Sequence, residues 1–334
     1  MPRLIKLAEP EWSLATLLDA QLDVVALIIE RQLASDLPAV NALCRHVERY
    51  RGKMLRPTMV LVSGLAASGR SDFGDVLTVG HRTLGAVTEL IHMATLVHDD
   101  VLDDALVRRR GETANALHGN EMAVMLGDYL ISNAFHLCST IGDPSINLAL
   151  GAVTNTLCEG ELLQLHHRDH LGVDEATYLE IVRRKTASLI GEACRLGGAL
   201  SGAEARAAEA LRSAGEALGI AFQIQDDLLD LVGDEDVVGK SLGRDLDKGK
   251  LTLPIILHLG EADGRTRETA LRLIEHRNAP ALRALLIEHG AVDRSAARAR
   301  AYVEAAKDHI RVLPDSPARD LMLALADQVI TRRF

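Results

Sequence analysis

Aromatic residues are scarce: 3% of 334, with four Phe, four Tyr and one Trp. Alternating runs of Val, Ile, Thr and Tyr are scarce too, so strands contribute little. Cys44, Cys138, Cys158 and Cys194 are scattered with no CxxC pair. That excludes a disulfide scaffold or a cysteine zinc site and suits free thiols in a reducing cytoplasm. Positive charge is in deficit, with 37 Lys and Arg against 47 Asp and Glu, a net charge of -10 and a pI near 5.7. Nucleic acid is therefore not the expected partner. No apolar run reaches the ~18 residues of a membrane span. The opening "MPRLIKLAEPEW" is broken by Pro and charge and lacks a signal-peptide pattern.

Ala and Leu fill the space, and helical periodicity runs almost throughout. From His81 to Asp104, the apolar Leu84, Val87, Leu90, Ile91, Ala94, Val97 and Val101 recur every three or four residues. Leu211 to Leu231 and Arg294 to Ile310 also read as helices. Gly and Pro clusters punctuate the chain at 67–74, 141–145, 233–243 and 313–317. None makes a flexible linker, and there is no internal repeat. A length prior of roughly 150 residues per domain suggests two domains, but the pattern favours one all-α domain over 1–334. The alternative is a separable helical piece after about residue 260.

The stretch "LVHDDVLDDALVRRRGE", residues 96–112, packs Asp99, Asp100, Asp103 and Asp104 before Arg108–Arg110. Thr88, His92, Thr95, Asp99 and Asp103 share one helix face, with Asp99 and Asp103 one turn apart. Two hard oxygen ligands on one face suit Mg²⁺, which takes one or two carboxylates and completes its shell with water and phosphate oxygens. A solvated charged helix end is the bland alternative. The arginines tip the balance, because guanidiniums grip phosphate bidentately. Asp226, Asp227 and Asp230 in "FQIQDDLLD" repeat the DDxxD spacing, with Gln223 one turn before Asp227. Facing across a helical bundle, two such helices build a metal site from inward side chains, with Lys240 and Lys250 in reach of the same anion.

Two decoys fall away. "GDEDVVGKS" at 233–241 has five residues between Gly233 and Gly239 where a Walker A loop needs four, and a helix precedes it. The His98-Asp99 pair lacks the further histidines of a metal phosphohydrolase. Lys53 and Arg56 in "YRGKMLRP" share a face if that segment is helical, and Lys185 and Thr186 lie in the amphipathic "RRKTASL". With Arg108 and Arg109 they supply cations for a second phosphate pocket that needs no metal. His166, His167 and His170 read as a surface helix end, and Arg332 and Arg333 as a fraying end. "LDVVALIIERQLASDL" reads as a dimer face or as core.

From Gly52 to Pro254, in order, "GKMLRP", "ELIHMATLVHDDVLDD…RRRG", "GNEMAVMLGDYL", "EGELLQL", "RKTASL", "FQIQDDLLD" and "GKSLGRDLDKGKLTLP" resemble the trans-type (all-E) polyprenyl diphosphate synthases. The resemblance implies an isoprenoid-synthase-type helical bundle around a central cavity, in a homodimer. It implies head-to-tail condensation of an allylic diphosphate with isopentenyl diphosphate, with about three Mg²⁺ ions per site once substrate is bound. By the same resemblance Asp99, Asp103 and Asp226 ligate Mg²⁺, with Asp100, Asp227 and Asp230 acting through water or as support. Arg108, Lys185, Lys240 and Lys250 would grip the allylic diphosphate. Lys53, Arg56, His92 and Arg109 would hold isopentenyl diphosphate, while Thr186 and Gln223 face the carbocation.

Ala94 and Thr95, one turn below Asp99, carry large aromatics in short-chain members of that family. Here both are small, so the expected product is long, roughly C30 to C50 as in octaprenyl-type members, with C20 and C15 as alternatives. Phe135 and 146–150 are candidates for the cavity floor. A silent subunit would have eroded aspartates. A terpene cyclase would carry an Asn/Ser/Glu second motif and more cavity aromatics. Membrane contact would be transient, through a lipophilic product.

Overall fold

The structure is a computed structural model that describes residues 9–50, 52–109, 111–233 and 243–331, with the side chains of 9–13 and 49 outside that description. Lys240, Arg332, Arg333 and most of the Walker-like segment lie outside the described residues. In chain order the helices are α1 Glu9–Leu33, α2 Pro38–Val47, α3 Leu55–Ser68 and α4 Val79–Leu102. A hairpin of β1 Val107–Arg108 and β2 Gly111–Glu112 follows, then α5 Ala114–His118, α6 Asn120–Ser139, α7 Pro144–His166 and α8 Glu175–Val182. A π-helical turn, Arg183–Ala187, leads into α9 Ser188–Leu200 and α10 Ala205–Val232. The chain continues through α11 Arg244–Asp247, α12 Leu253–Glu261, α13 Gly264–Glu275, α14 Ala279–Glu288, α15 Ala291–Ile310 and α16 Pro317–Thr331.

Helix ends follow the sequence punctuation. Pro38, Pro254 and Pro280 stand in the first turns of α2, α12 and α14, where a missing N–H leaves nothing unsatisfied. Gly69, with φ +64, closes α3. Asp174, Asp263 and Asn278 accept hydrogen bonds from the first turns of α8, α13 and α14.

The packing divides the chain into two compact units. The first comprises Met1–Thr154, Glu192–Arg212 and Arg311–Met322, and the second Asn155–Gly191, Ser213–Ile310 and Leu323–Phe334. In the first unit α4 is flanked by α1, α3 and α6. Leu84, Val87, Leu90, Ile91, Met93 and Val97 are all buried along it, each such side chain worth ~1.5–3 kcal/mol when fully withdrawn from water. Apolar residues on every side mark a core helix. On α1 the run from Leu22 divides: Leu22, Val25, Ile29 and Leu33 are core, whereas Val24 and Leu27 are exposed.

In the second unit α8, the π turn, α10, α12 and α15 share one apolar cluster that includes Tyr178, Ala187, Ile224, Leu228, Leu253 and Ala299. A Cβ on Gly219 of α10 would lie 2.6 Å from the Ala187 Cα. That glycine lets α10 meet the π turn backbone to backbone.

Candidate active site

The first acidic segment ends α4. Asp99 and Asp103 are partly exposed, and Asp103 caps the helix by donating its N–H to the Asp99 carbonyl at 2.9 Å. Asp100 between them is 1% exposed and turns the other way. Its carboxylate accepts Arg108 Nε at 2.9 and 3.0 Å and Nη2 at 2.8 Å. Burial draws the Arg108 guanidinium down, but the Asp100 bonds and charge more than offset it, so its pKa is raised. Tyr50 completes this group. Its hydroxyl lies against Asp100 and accepts the Ala114 N–H at 3.1 Å, and burial and then the Asp100 charge push its pKa up to about 12.

The cations of this unit gather beside α4. The hairpin carries Arg108 on β1 and Arg109 in the turn, where Arg109 donates to the Tyr50 carbonyl. Burial brings the Arg56 guanidinium down to about 10, opposed by the nearby Glu89 carboxylate, which is 2% exposed. Burial also lowers Arg109, with Glu89 again in opposition. His92, one turn beyond Glu89, is held well below the ordinary histidine value by burial and by Arg56, Arg109 and Arg108. It is therefore neutral at pH 7 among these three guanidiniums.

The second unit repeats the plan with different braces. Asp227 is 5% exposed and accepts Tyr178 Oη at 2.6 Å and Gln223 Nε2 at 2.9 Å. Gln223 Oε1 in turn accepts the Thr186 hydroxyl at 3.0 Å. A continuous hydrogen-bonded chain thus ties the π turn to the acidic segment. Burial, then Asp245, push the Asp227 carboxyl well up, against the Tyr178 and Gln223 bonds. Lys185, inside the π turn, is ion-paired with Glu161. Single π turns inside helices recur at functional positions. Asp226 and Asp230 remain partly exposed, and Asp230 accepts the Asp245 N–H at 3.2 Å. Lys250 donates its N–H to the Asp245 carbonyl at 2.9 Å.

Several expectations are refined. Lys53 is not on a helix face with Arg56: Met54, with φ 52, starts α3 and leaves Lys53 in the preceding loop. Lys185 and Thr186 sit in a π turn, not an ordinary amphipathic helix. Thr88 is fully buried and donates to Gly85 O, so it leaves the polar stripe. Ala94 is buried and Thr95 partly buried, its hydroxyl donating to His92 O at 2.8 Å. His98 turns to α6, with Nε2 3.2 Å from Val124 O. Sequence reasoning missed Tyr50, Glu89, Tyr178 and Asp245. Glu89 had a signal, a carboxylate inside an otherwise buried run; the tyrosines had none.

Among the described residues no three His, Cys, Asp or Glu side chains converge as a cage. Each unit offers two partly exposed carboxylates on one helix, with the middle one braced by protein. That donor set fits a hard cation that completes its shell with water and phosphate oxygens. His166 and His167 meet edge-on and His167 and His170 at a tilt, with ring centroids 5.0 and 5.7 Å apart, and the three form no such group.

A helical fold with a braced Asp-Asp-x-x-Asp segment and neighbouring cations in each unit defines an all-α isoprenoid synthase. The chain belongs to the polyprenyl synthetase family, whose model matches residues 38–285. It is 35% identical over 312 residues to a short chain isoprenyl diphosphate synthase of Methanothermobacter thermautotrophicus, covering 90% of this chain and 94% of that one. It is 32% identical over 313 residues to the octaprenyl diphosphate synthase of Escherichia coli, covering 92% and 94%. The crystal structure of a polyprenyl synthase from Caulobacter crescentus CB15, complexed with calcium and isoprenyl diphosphate, superposes with a TM-score of 0.88 at 33% identity, covering 96% and 97%. The protein is an enzyme of the prenyl diphosphate synthase class, a prenyl transferase.

Proposed function

We propose that this enzyme condenses an allylic diphosphate with isopentenyl diphosphate head to tail, in a Mg²⁺-dependent reaction that releases diphosphate and elongates the chain. The observation that carries the reading is the division of labour within each DDxxD segment. The outer carboxylates stay accessible while the middle one braces a tyrosine and, in the first unit, a phosphate-binding arginine. Asp99, Asp103, Asp226 and Asp230 would hold Mg²⁺, which would supply charge neutralisation for the departing diphosphate. Arg108, Lys185, Lys240 and Lys250 grip the same leaving group, where fixed cations stabilise the developing charge. Arg56, Arg109, His92 and Lys53 hold the second diphosphate without metal. Thr186 and Gln223 turn oxygen dipoles to the carbocation, and an apolar cavity keeps water from it.

Residues 1–334 would act as a single catalytic domain. The small, partly exposed Thr95 favours a long product, roughly C30 to C50, whereas Ala94 is packed in the core and lines no open space. Free cysteines suit a cytoplasmic enzyme. Exposed Met122 and Met125, one turn apart on α6, offer an apolar face for a second copy. The test is Asp99→Ala and Asp226→Ala. Each should lower turnover at least ~100-fold with helix content intact, and chelation of Mg²⁺ should abolish turnover in the parent. Ordinary turnover in either variant would sink the assignment.

A further inference from the structure

Arg109 occupies a backbone position ill suited to arginine. It turns the β1–β2 hairpin with φ +49, the left-handed region that favours Gly or Asn. Its residue is exposed overall while its guanidinium is partly withdrawn from water, and two contacts hold it there. The guanidinium Nη1 donates to the Tyr50 carbonyl. The guanidinium also lies over Gly52, where a Cβ would come within 2.5 Å of Nη2, 2.8 Å of Nη1 and 2.9 Å of Cζ. Glycine is needed there for space.

Tyr50 is well anchored for the task. It is 2% exposed, its hydroxyl is bonded to Ala114 N, and its ring lies 5.8 Å from the Arg108 Cζ. One residue therefore touches both hairpin arginines. Gly52 stands in the loop that carries Lys53 and leads to Arg56, so the contact joins that loop to the hairpin. Arg56 and Arg109 also share Glu89 as a neighbouring countercharge.

We infer that Gly52 is a positioning residue that sets affinity for the non-allylic diphosphate. By lacking a side chain it seats the Arg109 guanidinium on the Tyr50 carbonyl, so that Arg109 and Arg56 meet their anion pre-set. Preorganised donors bind without ordering cost, which a displaced, mobile guanidinium must bear. The inference rests on the reading of Arg109 as a ligand of isopentenyl diphosphate.

Gly52→Ala tests it. The clash is with the flexible end of a side chain, so the fold should survive and Arg109 should move. The KM for isopentenyl diphosphate should rise about tenfold, with the allylic KM within about twofold and kcat within about threefold, the pattern of lost uniform binding. The double variant Gly52→Ala/Arg109→Ala should be no more than about twofold worse than Arg109→Ala alone, since the two act through one contact. Equal rises in both KM values, or full additivity, would overturn the seat. Calorimetric titration with inorganic diphosphate under chelation gives a readout independent of turnover: Gly52→Ala should weaken it about tenfold, and unchanged affinity overturns the inference even if the proposed reaction fails. Should Gly52→Ala unfold, the double variant decides. Recovery to the melting temperature of Arg109→Ala supports the seat, and persistent unfolding refutes it.

Discussion

Replacing Arg108 with Met removes three charge-assisted contacts, at 2.8 to 3.0 Å, from a carboxylate that is 1% exposed. Breaking one side of a buried ion pair costs ~3–5 kcal/mol. Arg108 itself is 27% exposed, so water can reach part of the vacated space, and the Tyr50 hydroxyl still faces Asp100. The expected loss is therefore near the low end, about 3 kcal/mol. An unfolding entropy of about 2.1 cal/mol/K per residue over 334 residues is about 0.7 kcal/mol/K, so the melting temperature should drop by about 4 °C. Asp100→Asn should lose less, because an amide still meets Tyr50. The double variant should recover about 2 kcal/mol of the summed losses as coupling. Scanning calorimetry of the four proteins at pH 7.5 measures this. A drop below about 1 °C for Arg108→Met with additive losses would show a rim pair of the weak kind, and the brace would be wrong.

Other consequences follow from the same geometry. Tyr178→Phe removes the donor 2.6 Å from buried Asp227 and should cost about 1–3 kcal/mol, with turnover falling at least tenfold; unchanged turnover would detach the Tyr178 brace from catalysis. His81, fully buried and bonded to Gly197 O and Ser201, has its pKa brought down to about 4 by burial. The folded state refuses a proton that the unfolded chain takes up near 6.5, so stability should fall as pH drops from 6.5 towards 4, by up to about 3 kcal/mol, and His81→Asn should flatten that part of the profile. Thr95→Phe should shorten the product by several isoprene units. Unchanged length in a folded variant would move the cavity wall elsewhere.

Much of the fold was legible because helical periodicity and its Gly and Pro breaks are local signals. The stripe from Leu84 to Val97 announced a helix, and the breaks at 141–145 and 313–317 run from the loops into the first turns of α7 and α16. The two DDxxD segments were equally plain, since three carboxylates in five positions have few structural uses. Their internal division was not legible. Asp99 and Asp100 look alike in sequence, and the burial of Asp100 depends on Tyr50 and on a hairpin whose strands are two residues each. So short a hairpin leaves no alternation to read. The π turn at Lys185 was hidden for a related reason. It depends on the close approach of Gly160, whose Cβ would lie 2.6 Å from the Lys185 nitrogen, and of Gly219, both distant in sequence.

The most direct test of the central claim is product analysis. The purified enzyme, Mg²⁺, farnesyl diphosphate and excess labelled isopentenyl diphosphate are incubated, and the dephosphorylated products are sized by mass. The account predicts a ladder of five-carbon steps that ends between roughly C30 and C50. A ladder that stops at C20 would keep the chemistry and refute the open-cavity argument from Thr95. No condensation with farnesyl, geranyl or dimethylallyl diphosphate would contradict the account itself.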